Sequence, residues 1–227
     1  MSKISKRFKI LKNKINHLQY PYKDAIKLIK NLATAKFLES IEAHISLNIN
    51  SKYTNQQIRS SLTLPYGTGN KRKIAVITDN IADAFLYGAD IAGTENIYDQ
   101  INKGIINFDI LLTTPQYMQN LFKFNKILGP KGLMPSLKSG TIGNNLELLI
   151  KDFKQGKIEY RTDKSGIIHI IFGKANFSEN ELIDNLLNVY YSIEKNKPSG
   201  IKGKFFKSFF ICTTMSPSIN IDLNSFR

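Results

Sequence analysis

Residues 41–49 read Ile41-Glu42-Ala43-His44-Ile45-Ser46-Leu47-Asn48-Ile49, and this strict alternation decides the first half of the fold. Successive side chains of an extended chain point to opposite faces. Ile41, Ala43, Ile45, Leu47 and Ile49 therefore share one face, and Glu42, His44, Ser46 and Asn48 the other, which predicts a half-buried strand. Upstream, Ala25, Ile26, Ile29, Leu32 and Ala33 recur at helical spacing within Tyr22 to Ala33. Downstream, Ile58, Ser60, Leu62 and Leu64 alternate again up to Pro65, and Tyr66-Gly67-Thr68-Gly69-Asn70 then breaks the pattern.

Beyond that break the texture changes to short, nearly continuous apolar runs between helical segments: 74–78, 81–87, 91–92, 97–103 and 108–113, then helical stretches at 116–128 and 145–153. Continuous apolar strands are what a parallel sheet covered on both faces requires. After Gly156 the alternation returns with Ile158 and Tyr160, a turn at Thr162-Asp163-Lys164-Ser165-Gly166, then Ile168, Ile170 and Phe172, which predicts a hairpin. A helix over 179–194 with a stripe of Leu182, Ile183, Leu186, Leu187 and Tyr190, and a last strand over 205–214, complete the chain. The ends share a texture that the middle lacks. The expected architecture is an α+β domain of residues 1–66 plus 158–227, interrupted by an inserted α/β domain of residues 67–157. The two linkers, near Gly67 and Gly156, lie side by side in such a chain and make a hinge.

The 227 residues carry 32 Lys and Arg against 18 Asp and Glu, a net charge of +14, which draws polyanions and speeds association with them. Residues 1–66 hold +9 of it, residues 67–157 +3 and residues 158–227 +2. Lys3, Lys6, Arg7, Lys9, Lys12, Lys14 and Lys23 all precede the first acid, Asp24, and several fall on one helical face as a phosphate-tracking stripe. Nucleic acid is the expected partner. No apolar run approaches a membrane span, and no signal-peptide core follows the N-terminus, so a soluble intracellular chain is expected, with no membrane partner. The 27 Lys against 5 Arg, with 32 Ile and 22 Asn, are residues of A+T-rich codons and suggest a plastid or an A+T-rich bacterium.

Catalytic chemistry finds little support. No GxGxxG follows a strand, and the pairs Gly156-Lys157, Gly173-Lys174 and Gly203-Lys204 lack the Ser or Thr of a P-loop. His17, His44 and His169 are scattered and Cys212 is the sole cysteine. No catalytic residue, metal site or cofactor is therefore expected, and Cys212 reads as a packed strand residue. The loop Leu128-Gly129-Pro130-Lys131-Gly132-Leu133-Met134-Pro135 with Lys138-Ser139-Gly140-Thr141 can bring amides and lysines to phosphates or form a rigid corner.

Several segments, in order along the chain, resemble one family: Ala33-Thr34-Ala35-Lys36-Phe37 with Glu39 to His44; Leu64-Pro65 with Gly67-Thr68-Gly69; Asn107-Phe108-Asp109; Gly129 to Pro135; Tyr160-Arg161 with Asp163-Lys164 and Gly166; and Thr213-Thr214-Met215. The chain is similar to ribosomal protein L-one, the first protein of the large ribosomal subunit, in its bacterial and plastid form. That resemblance implies a discontinuous first domain, a Rossmann-like inserted domain and a hinge. It implies a structural, non-enzymatic role: binding large-subunit rRNA at the mobile stalk near the tRNA exit site, helping deacylated tRNA leave, and repressing translation of its own mRNA. The partners it implies are rRNA, exit-site tRNA and that messenger, with the protein a monomer off the ribosome. It places the protein on the ribosome, in a plastid stroma in preference to a bacterial cytoplasm.

The RNA-binding residues carried over by the resemblance are Lys36, Phe37 and Ser40; Asp163, Lys164, Ser165 and His169; and Ser208, Thr214, Met215 and Ser216. Short hydroxyls and backbone groups of this kind suit 2′-hydroxyls and phosphates in a shallow groove. For Phe37 the alternative is core packing. Two departures stand out: Ser216 replaces the family's glycine, and Pro135-Ser136-Leu137-Lys138 lacks its second proline, which predicts altered backbone approach and a less rigid loop. A free RNA-binding translational repressor or RNA chaperone is the alternative function, and a nucleotide-dependent enzyme in the inserted domain a third.

Overall fold

The alternation at 41–49 forms strand β1 (Ser40–Leu47), with Ile41, Ala43, Ile45 and Leu47 buried and the intervening residues partly exposed. The computed structural model describes residues 5–50, 52–201 and 203–226, so Lys3 lies outside the described residues. Helices α1 (Lys6–Asn13) and α2 (Tyr22–Leu32) precede β1, and β2 (Arg59–Thr63) follows it. Next come β3 (Ile74–Ile77), α3 (Ile81–Leu86), β4 (Ile91–Gly93), α4 (Glu95–Asn102) and β5 (Ile110–Thr113). The short α5 (Met118–Leu121) and α6 (Asn125–Leu128) precede α7 (Leu146–Lys154). The chain closes with β6 (Lys157–Arg161), β7 (Ile167–Lys174), α8 (Glu179–Lys195), β8 (Phe206–Thr213) and β9 (Ile219–Ile221). It divides into two compact units, Met1–Gly69 with Tyr160–Arg227, and Asn70–Glu159.

In the first unit β1 is central in an antiparallel sheet of order β7-β1-β8-β9. Ile26, Ile29 and Leu32 of α2 and Leu182, Leu186 and Val189 of α8 are fully buried, each contributing about 1.5–3 kcal/mol. Both helices pack on this sheet, and its other face carries the polar residues of β1. The start of α8 is set by a capping box, in which Ser178 and Glu181 each accept from the other's backbone N–H.

Two sequence expectations need correction here. The turn at 163–166 forms, with Asp163 N–H donating to Ile167 O at 2.9 Å, but β6 and β7 build no hairpin ladder. They share the single bridge Thr162 to Ile168, while β7 pairs with β1 and β6 with β2. Alternation reports which face a residue takes and says nothing about which strand lies beside it. The sequence pattern also predicts no strand after 214, whereas β9 forms at Ile219–Ile221. It pairs with β8 and brings the chain end back to Tyr20, whose N–H donates to Asn220 O at 3.0 Å. Phe226 then stacks on Tyr190 at 4.4 Å and on Tyr22 at 5.3 Å.

The second unit is a parallel sheet of order β4-β3-β5, covered on both faces as the continuous apolar runs require. Ile97, Ile101, Leu121 and Leu128 pack on one side, and Ala84, Ile150 and Phe153 on the other. The helical stretch expected over 116–128 is instead broken into short α and 3₁₀ turns. Gly67 and Gly156 each lie inside one unit. The buried Asn185 donates to Gly67 O at 3.0 Å and to Phe172 O at 2.8 Å, and Gly156 follows the end of α7, its N–H on Phe153 O.

Candidate RNA-binding surface

The loop between α2 and β1 and the turn after β8 form one edge of the open sheet face. Thr214 N–H donates to Ser40 O at 3.1 Å, and Ser40 N–H donates to Thr214 Oγ1 at 3.1 Å. Beneath them lies a residue the sequence reading had not singled out as functional. Glu39, 1% exposed, accepts from Ala35 N–H at 2.8 Å, from Thr213 Oγ1–H at 2.6 Å and from Met215 N–H at 3.0 Å. Burial pushes the Glu39 carboxyl up, but these three bonds with the nearby Arg7 charge outweigh it and hold the group below the ordinary carboxylate value. Arg7 adds a second tie, donating to Met215 O at 3.0 Å and to Thr34 Oγ1 at 3.4 Å. That contact withdraws Arg7 from the expected basic stripe, whose Lys6, Lys9 and Lys12 remain exposed at three-residue spacing on α1.

Six of the carried-over residues gather at this edge: Lys36, Phe37, Ser40, Thr214, Met215 and Ser216. Phe37 is 54% exposed and Met215 48% exposed, so Phe37 is not a core residue. Ser216 does not strain the backbone, since no described residue other than glycine has positive φ. Its hydroxyl turns inward, accepting from Thr213 N–H at 2.9 Å and donating to Pro217 O at 3.0 Å.

The remaining residues lie farther along the same face. Ser208 pairs with Ser46, whose other neighbour, Ile167, closes the turn carrying Asp163, Lys164 and Ser165. Asp163 Oδ1 accepts from Ser165 N–H at 2.8 Å and Ile167 N–H at 2.7 Å, so this carboxylate builds the turn. Burial raises its pKa, and the two amides with His169 lower it by more. Gly166 docks the turn on β1: its φ is +77°, and an added Cβ would lie 3.1 Å from Ile49. The six steps from Ser208 to Thr214 span about 20 Å, so the candidate residues line the length of the face.

Between these two groups the strand register assembles side chains that spacing along the sequence hides. Glu42 pairs with Cys212, and His44 stands two residues on from Glu42 and opposite His169. Among the described residues, Glu42, His44 and Cys212 form a cluster of metal-ligand type, contrary to the sequence expectation. His44 Nε2 is 3.1 Å from Cys212 Sγ and 3.8 Å from Glu42 Oε2, and its Nδ1 is 2.8 Å from His169 Nδ1. Burial pushes the Cys212 thiol up to about 11, helped by the Glu42 charge.

In the second unit, the Gly-Pro-Lys loop is held by hydroxyls. Ser136 Oγ and Ser139 Oγ are 2.7 Å apart, Ser139 Oγ is 2.9 Å from Thr141 Oγ1, and Ser136 N–H donates to Thr141 Oγ1 at 2.9 Å. These bonds supply local restraint where the second proline is absent. A cavity of about 400 Å³ opens near the ends of β3 and β4, lined by Asp79, Thr94, Glu95, Tyr98, Tyr117 and Lys123. Two carboxylates against one lysine disfavour a nucleotide phosphate there.

An open antiparallel face lined with short hydroxyls, exposed lysines and exposed apolar side chains defines a binding module rather than a catalytic centre. Residues 29–217 match the family model described as "Ribosomal protein L1p/L10e family", and the chain belongs to that family of structural, non-enzymatic proteins. It is 52% identical over 229 aligned positions to large ribosomal subunit protein uL1c of Guillardia theta, covering 100% of this chain and 98% of the relative. It is 51% identical to uL1 of Prochlorococcus marinus strain NATL1A (100% and 97% covered) and to uL1c of Rhodomonas salina (100% and 98%).

Proposed function

We propose that this protein is a structural constituent of the large subunit of a plastid ribosome, and that its first unit binds large-subunit rRNA at the base of the mobile stalk. The observation that carries the reading is the edge tied by Glu39, which holds Lys36, Phe37, Ser40, Thr214 and Met215 in one arrangement. Hydroxyls and main-chain groups fixed in advance recognise the shape and 2′-hydroxyls of RNA, while the lysines add a salt-dependent attraction that any RNA would feel. The second unit, joined through two chain crossings that act as a hinge, moves with the stalk and assists release of deacylated tRNA at the exit site. The protein's own messenger, offering an imitation of the same RNA site, is a second target, and the free protein is a monomer.

Binding to a stalk-base rRNA fragment and to an unrelated hairpin of equal length, measured against salt, tests the reading. Preference for the stalk fragment that persists at high salt is expected. Equal and steeply salt-dependent binding to both RNAs would refute specific recognition and leave only the +14 field. Cofractionation with large subunits after a high-salt wash separates the ribosomal role from that of a free repressor or chaperone, which would be recovered on messenger alone.

A further inference from the structure

The cluster at the middle of the open face has a geometry that RNA binding does not require. Glu42 and Cys212 are a directly paired couple on adjacent strands of the sheet, and His44 lies on the same face of β1, so the backbone ladder fixes where all three side chains start. A tetrahedral zinc ion with a nitrogen ligand at about 2.0 Å, an oxygen at about 2.0 Å and a sulfur at about 2.3 Å sets the nitrogen and sulfur about 3.5 Å apart and the nitrogen and oxygen about 3.3 Å apart. The observed separations are 3.1 Å and 3.8 Å. Shifts of about half an ångström, within the reach of side-chain rotation, bring these two separations to the tetrahedral values, and the ligand atoms of all three residues lie within 4.8 Å of one another.

The surroundings fit as well. His44 Nδ1 meets His169 Nδ1 at 2.8 Å, and His169 Nε2 lies 3.6 Å from Asp163 Oδ2. With His169 turned to Asp163 through a protonated Nε2, its Nδ1 accepts from His44 Nδ1–H. That tautomer leaves the lone pair of His44 Nε2 aimed at Cys212 and Glu42, the role a carboxylate and histidine behind a metal ligand ordinarily play. The side chains of His44 and Glu42 are 27% and 33% exposed, so an ion can enter from solvent, and water completes the fourth position. Thiolate, imidazole and carboxylate together select a zinc-class ion over magnesium or calcium, which take oxygen donors.

We propose that Glu42, His44 and Cys212 bind one zinc-class divalent cation on the open face of the first unit, with His169 as a positioning residue. Binding transfers the Cys212 thiol proton to solvent and forms a metal–sulfur bond, with no change of oxidation state. Full-length, untagged, metal-stripped protein is titrated with cobalt(II) under reducing conditions, and zinc is then added in competition. A thiolate-to-cobalt charge-transfer band that saturates at one ion per chain and is bleached by zinc is expected. Cys212→Ser abolishes the band. His44→Gln weakens binding at least tenfold, and His169→Gln weakens it while keeping the band, an outcome that lost packing alone would not produce. Circular dichroism establishes that each variant is folded, and Glu42→Gln, a change at a partly exposed strand position, supplies a further ligand test. Absence of the band in the parent protein at stoichiometric cobalt, or equal affinity in the Cys212→Ser and His44→Gln variants, would overturn the assignment. RNA affinity is measured separately, because His169 is also one of the candidate RNA-binding residues and the cluster lies on the same face.

Discussion

Glu39→Gln separates the role of the buried carboxylate from that of the surface it supports. In the parent protein Oε2 accepts from Thr213 and Met215 while Oε1 accepts from Ala35. The amide keeps one acceptor oxygen. If it serves the first two donors, the NH₂ group faces the Ala35 N–H, donor against donor, at a site 1% exposed. Losing one charge-assisted bond and stranding a buried donor costs about 2–3 kcal/mol. For a unit of this size, each kcal/mol lowers the melting temperature by about 3–5 °C. Calorimetry reads the shift, with hydrogen exchange at the Ala35 and Met215 amides assigning it to this unit. Affinity for the stalk RNA falls as well, because each edge residue set free must be ordered again on binding at about 1–2 kcal/mol, or about 5- to 30-fold. The pH dependence has a definite sign. The folded carboxyl titrates below its unfolded value of 4.5, so its contribution is present above that pH and is lost as pH falls through the folded value. Glu39→Gln removes this part of the acid sensitivity. An unchanged melting curve with unchanged RNA affinity would refute the reasoning.

Lys36→Ala and Thr214→Val each weaken stalk-RNA binding by about 1–3 kcal/mol, and parental affinity in both, by gel shift or calorimetry, removes the site assignment. Truncation of residues 1–14 lowers affinity and flattens its salt slope by about one unit per lost phosphate contact; a slope identical to the parent's would show the arm to be a solvated bystander. Ser136→Ala breaks the hydroxyl network and speeds proteolysis within 129–141, with a cost near 1 kcal/mol, and an unaltered cleavage rate contradicts the structural role given to Ser136. Asn185→Leu leaves Gly67 O and Phe172 O without their donor and destabilises the first unit by about 2–4 kcal/mol, read from its urea midpoint.

The strands of the first unit, β9 apart, and the longer helices are legible because their apolar residues recur with a period, and β3 and β5 because they are continuous apolar runs. Glu42, His44 and Ser46 alternate with buried apolar residues, and Ala25, Ile26, Ile29 and Leu32 repeat at helical spacing. Pairing was not legible, since a period names a face and not a neighbour. A period therefore cannot tell that β6 pairs with β2 and not with β7, nor that Glu42, His44 and Cys212 meet, His44 and Cys212 being 168 residues apart in sequence. β9 has three residues, too few to show a period. Glu39 looks like any acid until its burial is seen; the one signal that could have found it is its place just before a strand, between apolar Leu38 and the alternating run. The candidate RNA residues came from resemblance to a family, and composition supplied only their charge.

The edge built on Glu39 also has a consequence in time. Glu39 and Thr213 are 174 residues apart, and a ribosome adding about 5–20 residues per second needs about 9–35 s to pass from one to the other. The second unit is contiguous in the chain, so its sheet can close while the carboxylate still waits for its partners. β8, which lies between β1 and β9, arrives last but one among the strands. A nascent chain therefore cannot present the finished edge to any RNA until β8 and the turn after it have been made.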